Sequence, residues 1–310
     1  MRIKLLLSVL FFCLFAMGAK AQQIFEISQY MQHSFLYNPA AAGAADEPSI
    51  GAIYRSQWSG IDGGPKTVLL FGDKYFEKDK VGVGVTLYND VTGPTSRAGG
   101  QIALSYSIDF QNGKRLMFGL AGRALQFSVD KSKLELYQAQ DPILTSSSNK
   151  FVGDADAGIY YKSPTLNVGF CGDQLIQSKL NLIDGSKTPG QLYSHYYLNA
   201  DYHIKVDEDN VLIPNVLFQY LPNAPMEFLG GMRLEYADLL WIGFSYHSQQ
   251  SFTAFAGFKV DHTLAIGYAY ELYNTPISLF DGGGGASNEL MLKYYFHPKE
   301  KNKVKEIGPL

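Results

Sequence analysis

Cysteine is almost missing from this chain. There are two, Cys13 and Cys171, and Cys13 sits in an apolar run at the start. A chain left with Cys171 alone has no internal disulfide, so a disulfide-stapled scaffold is excluded. Charge is also scarce, at 18% of residues, and it does not lean basic. Without Arg2, Lys4 and Lys20 the balance is 23 basic against 29 acidic residues, a net charge near −6. That argues against a nucleic-acid partner, which needs a basic face. After Ala21 no apolar run approaches the roughly 18 residues of a membrane helix.

Catalytic and ligand-binding patterns are missing as well. No G-x-S-x-G occurs, and the six histidines show no H-E-x-x-H or other short ligand spacing. Cys171 has no nearby cysteine or histidine. "GIDGGPKT", Gly60 to Thr67, is one residue short of a phosphate-cradling loop: Pro65 stands where the second glycine belongs. Proline removes a backbone donor there. The following "TVLLFGDKYF" reads as a strand, not the helix such a loop needs. The stretch is therefore an outward hairpin loop with Gly60, Gly63 and Gly64 as turn residues. "DGGGG", Asp281 to Gly285, lacks dinucleotide spacing. "DEDN", Asp207 to Asn210, resembles a calcium cluster but falls on a short turn. No cofactor and no metal are expected. Ser245 and His247 share one face of a strand near its end. A nucleophile–base pair is conceivable there, and polar residues lining a lumen are the plainer account.

What is present begins with "MRIK", the run "LLLSVLFFCLFAMG" and "AKA", which read as a signal peptide over residues 1–21. The chain then carries 21 Tyr, 20 Phe and 31 Gly. Its apolar residues alternate with period two. "KVGVGVTLYND" sets Val81, Val83, Val85 and Leu87 against Gly82, Gly84, Thr86 and Tyr88. "GQIALSYSIDF" aligns Ile102, Leu104, Tyr106, Ile108 and Phe110. "HTLAIGYAYELY" aligns Leu264, Ile266, Tyr268, Tyr270 and Leu272. "NELMLKYYF" aligns Leu290, Leu292, Tyr294 and Phe296. Runs of about ten alternating residues exceed the five or six of soluble strands and fit a tilted strand crossing an outer membrane.

About fourteen such strands can be placed, near 48–58, 66–76, 80–91, 97–111, 114–129, 152–162, 164–173, 192–206, 209–221, 225–237, 238–248, 250–260, 261–273 and 287–297. The fold class is all-β, a transmembrane outer-membrane β-barrel of about fourteen antiparallel strands over 48–297. Every second connection is short: "EKD", "NG", "SP", "VDED", "AD" and "VD". The others are mostly long, with "LPNA" and "SQQ" as exceptions. That asymmetry predicts short periplasmic turns and long outer loops. With an even count both termini fall on the periplasmic side. Residues 22–47 form a periplasmic or plugging segment, and 298–310 a basic periplasmic tail. Arg55, Arg123 and Arg233 lie deep in strands and must point inward, because a charge facing mid-membrane lipid costs roughly 2–4 kcal/mol. Glu235 and Glu271 are the expected inward partners. The parity of "RLMFGLAGRALQF" drifts near Ala124.

"QYMQHSFLYNPAAAG", "YRSQW…GGPKT", "GVGVTLYNDVTG", "IGYAYEL" and "SNELMLKYYF" together resemble the PorP/SprF family, outer-membrane proteins of the type IX secretion system of Bacteroidetes. The likeness covers nearly the whole mature chain in order. One departure is Asn288-Glu289, where the family commonly has His-Glu. The resemblance implies a non-enzymatic barrel that helps export or surface-anchor a secreted adhesin by binding its C-terminal sorting domain. It also implies contact with the periplasmic ring of that system. The motif residues carried over are Asn38, Pro39, Tyr54, Arg55, Gln57, Trp58, Pro65, Thr67 and Asp90. Their role is either to hold the N-terminal segment and first hairpin or to meet the client. Loop aromatics such as Tyr137 and Phe280 are candidate client contacts. The competing function is a passive channel or hydrophobic-solute transporter, since a barrel of this size can enclose a lumen.

Overall fold

The computed structural model describes residues 26–45, 47–130, 149–180, 190–222, 224–248, 250–275 and 285–296. Its strands are β1 (Ser49–Ser56), β2 (Lys66–Phe76), β3 (Val81–Thr92), β4 (Thr95–Asp109), β5 (Arg115–Val129), β6 (Asn149–Lys162) and β7 (Leu166–Asp173). They continue with β8 (Lys179–Leu180), β9 (Gly190–Gln191), β10 (His195–Tyr202), β11 (Ile204–Lys205), β12 (Asn210–Tyr220), β13 (Glu227–Tyr236), β14 (Leu240–His247), β15 (Ser251–Val260), β16 (Leu264–Tyr273) and β17 (Ala286–Tyr295). Fourteen of these form the wall: β1 to β7, β10 and β12 to β17. Each pairs antiparallel with its neighbours, and β17 returns to β1, which closes the barrel. Short β11 prolongs β10 past His203 and pairs with β12. The two-residue strands β8 and β9 pair only with each other.

The period-two pattern decides which side chains face out. On β4, Ile102, Leu104, Tyr106 and Ile108 are exposed, while Gln101, Ala103, Ser105 and Ser107 are buried in the lumen. On β17, Leu290, Leu292 and Tyr294 face out while Glu289, Met291 and Lys293 are buried. β5 keeps one parity along its length, with Met117, Ala121 and Leu125 inside and Phe118 and Leu120 outside. The drift read at Ala124 arises because inward Leu125 is apolar. It packs against Leu180 and Leu192, on and beside the β8–β9 hairpin, which folds into the barrel mouth. The sequence pattern gives only a loop here, since two-residue strands carry no period.

Connections follow the local chemistry. Ala237–Asp238 and Asp261–His262 are two-residue turns in which all four residues have positive φ, between 47° and 55°. That geometry matches the twist of a tight hairpin. Asp207 closes its own turn by accepting the N–H of Asp209 and of Asn210, at 2.9 and 2.8 Å, and the Asn210 amide. The Asn210 side chain and these backbone donors hold the Asp207 carboxyl below the usual carboxylate range. Its oxygens are used by the turn.

Between Glu26 and β1 the chain makes three short 3₁₀ turns, Tyr30–Gln32, Ser34–Leu36 and Pro39–Ala41. They lie inside the barrel. Ile27, Phe35 and Ala40 to Ala42 join the inward residues Ile53, Leu69, Phe71, Met117, Trp241 and Phe255 in one buried core. The start of β1 and the end of β17 share the short-turn mouth; the two ends of the chain, which the even count also places there, lie outside the described residues. Glu26 stands at the other mouth, 3.6 Å from His247 at the end of β14. The chain runs the height of the lumen before its first strand, a step that counting strands omits.

Candidate functional site: the filled lumen

The segment over residues 26–45 is fixed rung by rung. Near the short turns, Lys162 Nζ donates to the Ala44 carbonyl at 2.6 Å, Gly43 N–H donates to Asp73 at 2.9 Å, and Ser105 Oγ donates to the Ala42 carbonyl at 2.7 Å. Asn38 comes next. Its Oδ1 accepts the Ala40 N–H at 2.9 Å and caps the turn that Pro39 opens. Its Nδ2 donates to the carbonyls of Ile159 and Phe170, at 3.1 and 3.4 Å, on β6 and β7. The Asn-Pro pair thus starts a turn and bolts it to two wall strands. Asn38→Ala should cost about 2–3 kcal/mol, the cap plus the two donated bonds. Urea unfolding of detergent-solubilised protein would measure it, and a loss below about 0.5 kcal/mol would contradict this anchoring.

Two inner-wall glycines let the segment approach. A Cβ on Gly119 would come within 2.3 Å of the Ala40 backbone, and one on Gly158 within 2.2 Å of Asn38 Oδ1. These two glycines face each other in register on β5 and β6.

Higher up, Tyr30 donates its hydroxyl to Asn215 and Arg233 donates to the Met31 carbonyl at 3.1 Å. At the long-loop mouth the anchoring becomes ionic. Glu289 accepts the N–H groups of Ser28 and Gln29 at 2.7 and 3.0 Å. Arg55 bonds Ser28 Oγ, pairs with Glu271 at 2.6 Å and Glu289 at 3.6 Å, and donates to the Tyr273 hydroxyl at 3.1 Å. The side chain of Arg55 is 2% exposed, so the group is charge-assisted and away from water.

Strand register explains the convergence. Glu289 is opposite Arg55, Arg55 opposite Thr67, Thr67 opposite Asp90 and Asp90 opposite Arg97. One inner row across five strands therefore carries Glu289, Arg55, Thr67, Asp90 and Arg97. Thr67 Oγ1 donates to Asp90 at 2.8 Å, and Arg97 pairs with the other Asp90 oxygen at 2.8 Å. A third cluster joins Arg123 to Asp156 and Asp173, at 2.9 and 3.0 Å. Asp156 also accepts from Gln101 and from the Gln174 N–H, while Asp154 accepts the N–H of Ile176 and Ser178. These bonds draw the chain after β7 inward across part of the mouth.

Of the sequence-chosen residues, Asn38, Pro39, Arg55, Thr67 and Asp90 all face the lumen and are buried. Tyr54 faces outward and is exposed. Gln57 donates its N–H to the Pro65 carbonyl at 2.8 Å and closes the first loop. Trp58 takes a positive φ, donates its N–H to Ser287 and packs edge-on against Tyr273. Tyr137 and Phe280 lie outside the described residues. Arg55 and Arg233 meet the acids expected for them, Glu271 and Glu235. Ser245 and His247 both face in, and the ring nitrogens of His247 face Glu26 and Glu227 rather than a serine. Asn288 bonds Ser59 and Tyr268 and points away from the ionic group that its neighbour Glu289 enters. Glu289, Asp156 and Asp173 were missed, although inward parity on strands already read from the sequence marks each of them.

Three comparisons bear on identity. The family model described as type IX secretion system membrane protein PorP/SprF matches residues 19–294. No curated protein matches. Among solved structures, the toluene transporter TbuX of Ralstonia pickettii is similar at TM-score 0.51 and 11% identity, over 85% of this chain and 93% of that one. A Pseudomonas aeruginosa FadL homologue is similar at TM-score 0.49 and 13% identity, over 84% and 93%. The outer-membrane protein Omp33 of Acinetobacter baumannii has TM-score 0.46 and 8% identity, over 81% and 98%. The neighbours are outer-membrane barrels, and at these identities the likeness is one of fold alone.

Proposed function

Because this chain belongs to the PorP/SprF family of type IX secretion system membrane proteins, we propose that it is a non-enzymatic outer-membrane component of that system which binds the C-terminal sorting domain of a secreted adhesin and helps export it or hold it at the surface. The short turns then face the periplasm and its ring components, and the long loops face outward to the client. The observation that carries the reading is the filled lumen. A barrel whose interior is occupied by its own chain, bonded from Ala44 to Ser28, is suited to be a platform rather than a conduit. The motif residues then keep the platform filled, and client contact falls to the loops.

The test is affinity capture from native outer membranes in mild detergent, with mass spectrometry of what co-purifies. A large secreted protein bearing a sorting domain is expected. Replacing residues 181–189 by a short glycine-serine linker should abolish its recovery while the barrel still assembles, because Leu180 and Leu192 keep their packing. Recovery of the barrel alone, from cells making the client, would contradict the proposal. The competing reading is a channel or hydrophobic-solute transporter, the activity named for TbuX. It requires the native protein to conduct in a planar bilayer, whereas the platform reading expects no current.

A further inference from the structure

At the short-turn mouth, where β6 and β10 end, the lumen segment leaves a cavity of about 260 Å³. Three nitrogen donors line it with bonding capacity unspent. Lys293 is 6% exposed. Its ammonium touches His33 Nδ1 at 3.4 Å and lies 4.7 Å from the Tyr295 ring centroid, and among the described residues no carboxylate pairs with it. Arg233 is 8% exposed, and its guanidinium spends its ends on Glu235 and the Met31 carbonyl, which leaves Nε unpartnered. Gln32 Nε2 is buried and also unpartnered.

Among the described residues the acids around the cavity make no direct bond to these donors. Asp73 is taken by the Gly43 N–H and the Ser49 hydroxyl. Asp201 is taken by Asn167 and His203. Asp73 and Glu47 attract the ammonium through space, but a buried ammonium in contact only with a histidine nitrogen and a ring, beside two idle N–H donors, still has bonding capacity that is costly to leave unused. A single oxyanion can accept from several N–H donors and neutralise an ammonium at once. The volume is ample for one with a few waters, each occupying about 30 Å³ in the liquid.

We propose that this cavity is an oxyanion site, in which Lys293, Arg233 Nε and Gln32 Nε2 bind a carboxylate or a phosphate entering from the short-turn mouth. The site needs no assumption about secretion or about which face of the membrane the short turns meet.

Calorimetric titration of the full-length mature protein in detergent tests it, with sodium phosphate and sodium acetate as separate probes, ionic strength being held with chloride. Saturable binding of at least one anion per barrel is expected, weakened at least tenfold by Lys293→Met. Gln32→Leu is the milder variant and should weaken binding with little change in anion-free stability. Lys293→Met also removes a charge that attracts Asp73, so its thermal midpoint is read first in anion-free buffer, and it should gain nothing over that value when the anion is added. Preference for acetate would identify a carboxylate side chain or chain end as the natural occupant, and preference for phosphate a free or headgroup phosphate. Absence of saturable binding to the parent, or equal binding by Lys293→Met, would overturn the proposal.

Discussion

Gly119→Leu should convert a silent barrel into a conducting one. Gly119 lies on the inner face of β5, where a Cβ alone would come within 2.3 Å of the Ala40 backbone. An overpacked side chain usually costs about 1–3 kcal/mol because neighbours shift to admit it. Here the neighbour is backbone held in place by Asn38 and by Ser105, so little accommodation is open to it. The strand itself is not harmed, since glycine is a poor strand residue. The expected result is a folded barrel whose lumen segment has left. Single-channel recording in a planar bilayer should show steady current for the variant and none for the parent. Gly122→Leu is the control: Gly122 points outward and a Cβ there meets nothing within 4 Å. If Gly119→Leu stays silent with unchanged stability, the segment does not seal the lumen.

The second large effect is expected at Arg55. Arg55→Met should cost about 3–5 kcal/mol, because it strands Glu271 and Glu289 as uncompensated buried charges. The two carboxylates come from β16 and β17 and the arginine from β1, so the loss falls on the seam that closes the barrel. Neutralising both partners in the triple variant with Glu271→Gln and Glu289→Gln should recover most of it, since the glutamine at 289 still accepts the N–H groups of Ser28 and Gln29. Denaturant unfolding followed by the shift between folded and unfolded bands on unheated gels would read both. Equal stability of Arg55→Met and the triple variant would mean that charge pairing is not what the cluster supplies.

The wall was legible in the sequence because each of its strands is long enough to repeat. Four or five outward apolar residues on β4, β16 or β17 fix the parity, and parity places every charge on those strands. Arg55, Arg123 and Arg233 followed from that rule. The filling was not legible, because its order is made by contact with the wall. Nothing periodic marks "QYMQHSFLYNPAAAG". Only Asn38 beside Pro39 signals a turn, and its other bonds go to carbonyls more than 120 positions away. The pairing of Arg123 with Asp156 and Asp173 needed register as well as parity, and register is set by loops and turns that period-two reading does not measure. The β8–β9 hairpin is too short to repeat at all. In the sequence Lys293 is one more inward residue of β17, and only the cavity beside it makes it a candidate site.

The bond between Ser28 and Glu289 joins positions 261 apart in the chain. Contacts of such separation are made late, after the loops between them have closed. The backbone N–H groups of Ser28 and Gln29 therefore lack their carboxylate acceptor until the final strand is in place. An assembly intermediate lacking β17 cannot lock the outer end of its lumen segment, and the locking of that end becomes a record that the last residues have arrived. A chain truncated before residue 286 would carry that defect permanently, which makes an unlocked N-terminal segment a natural mark by which a periplasmic protease could tell unfinished barrels from finished ones.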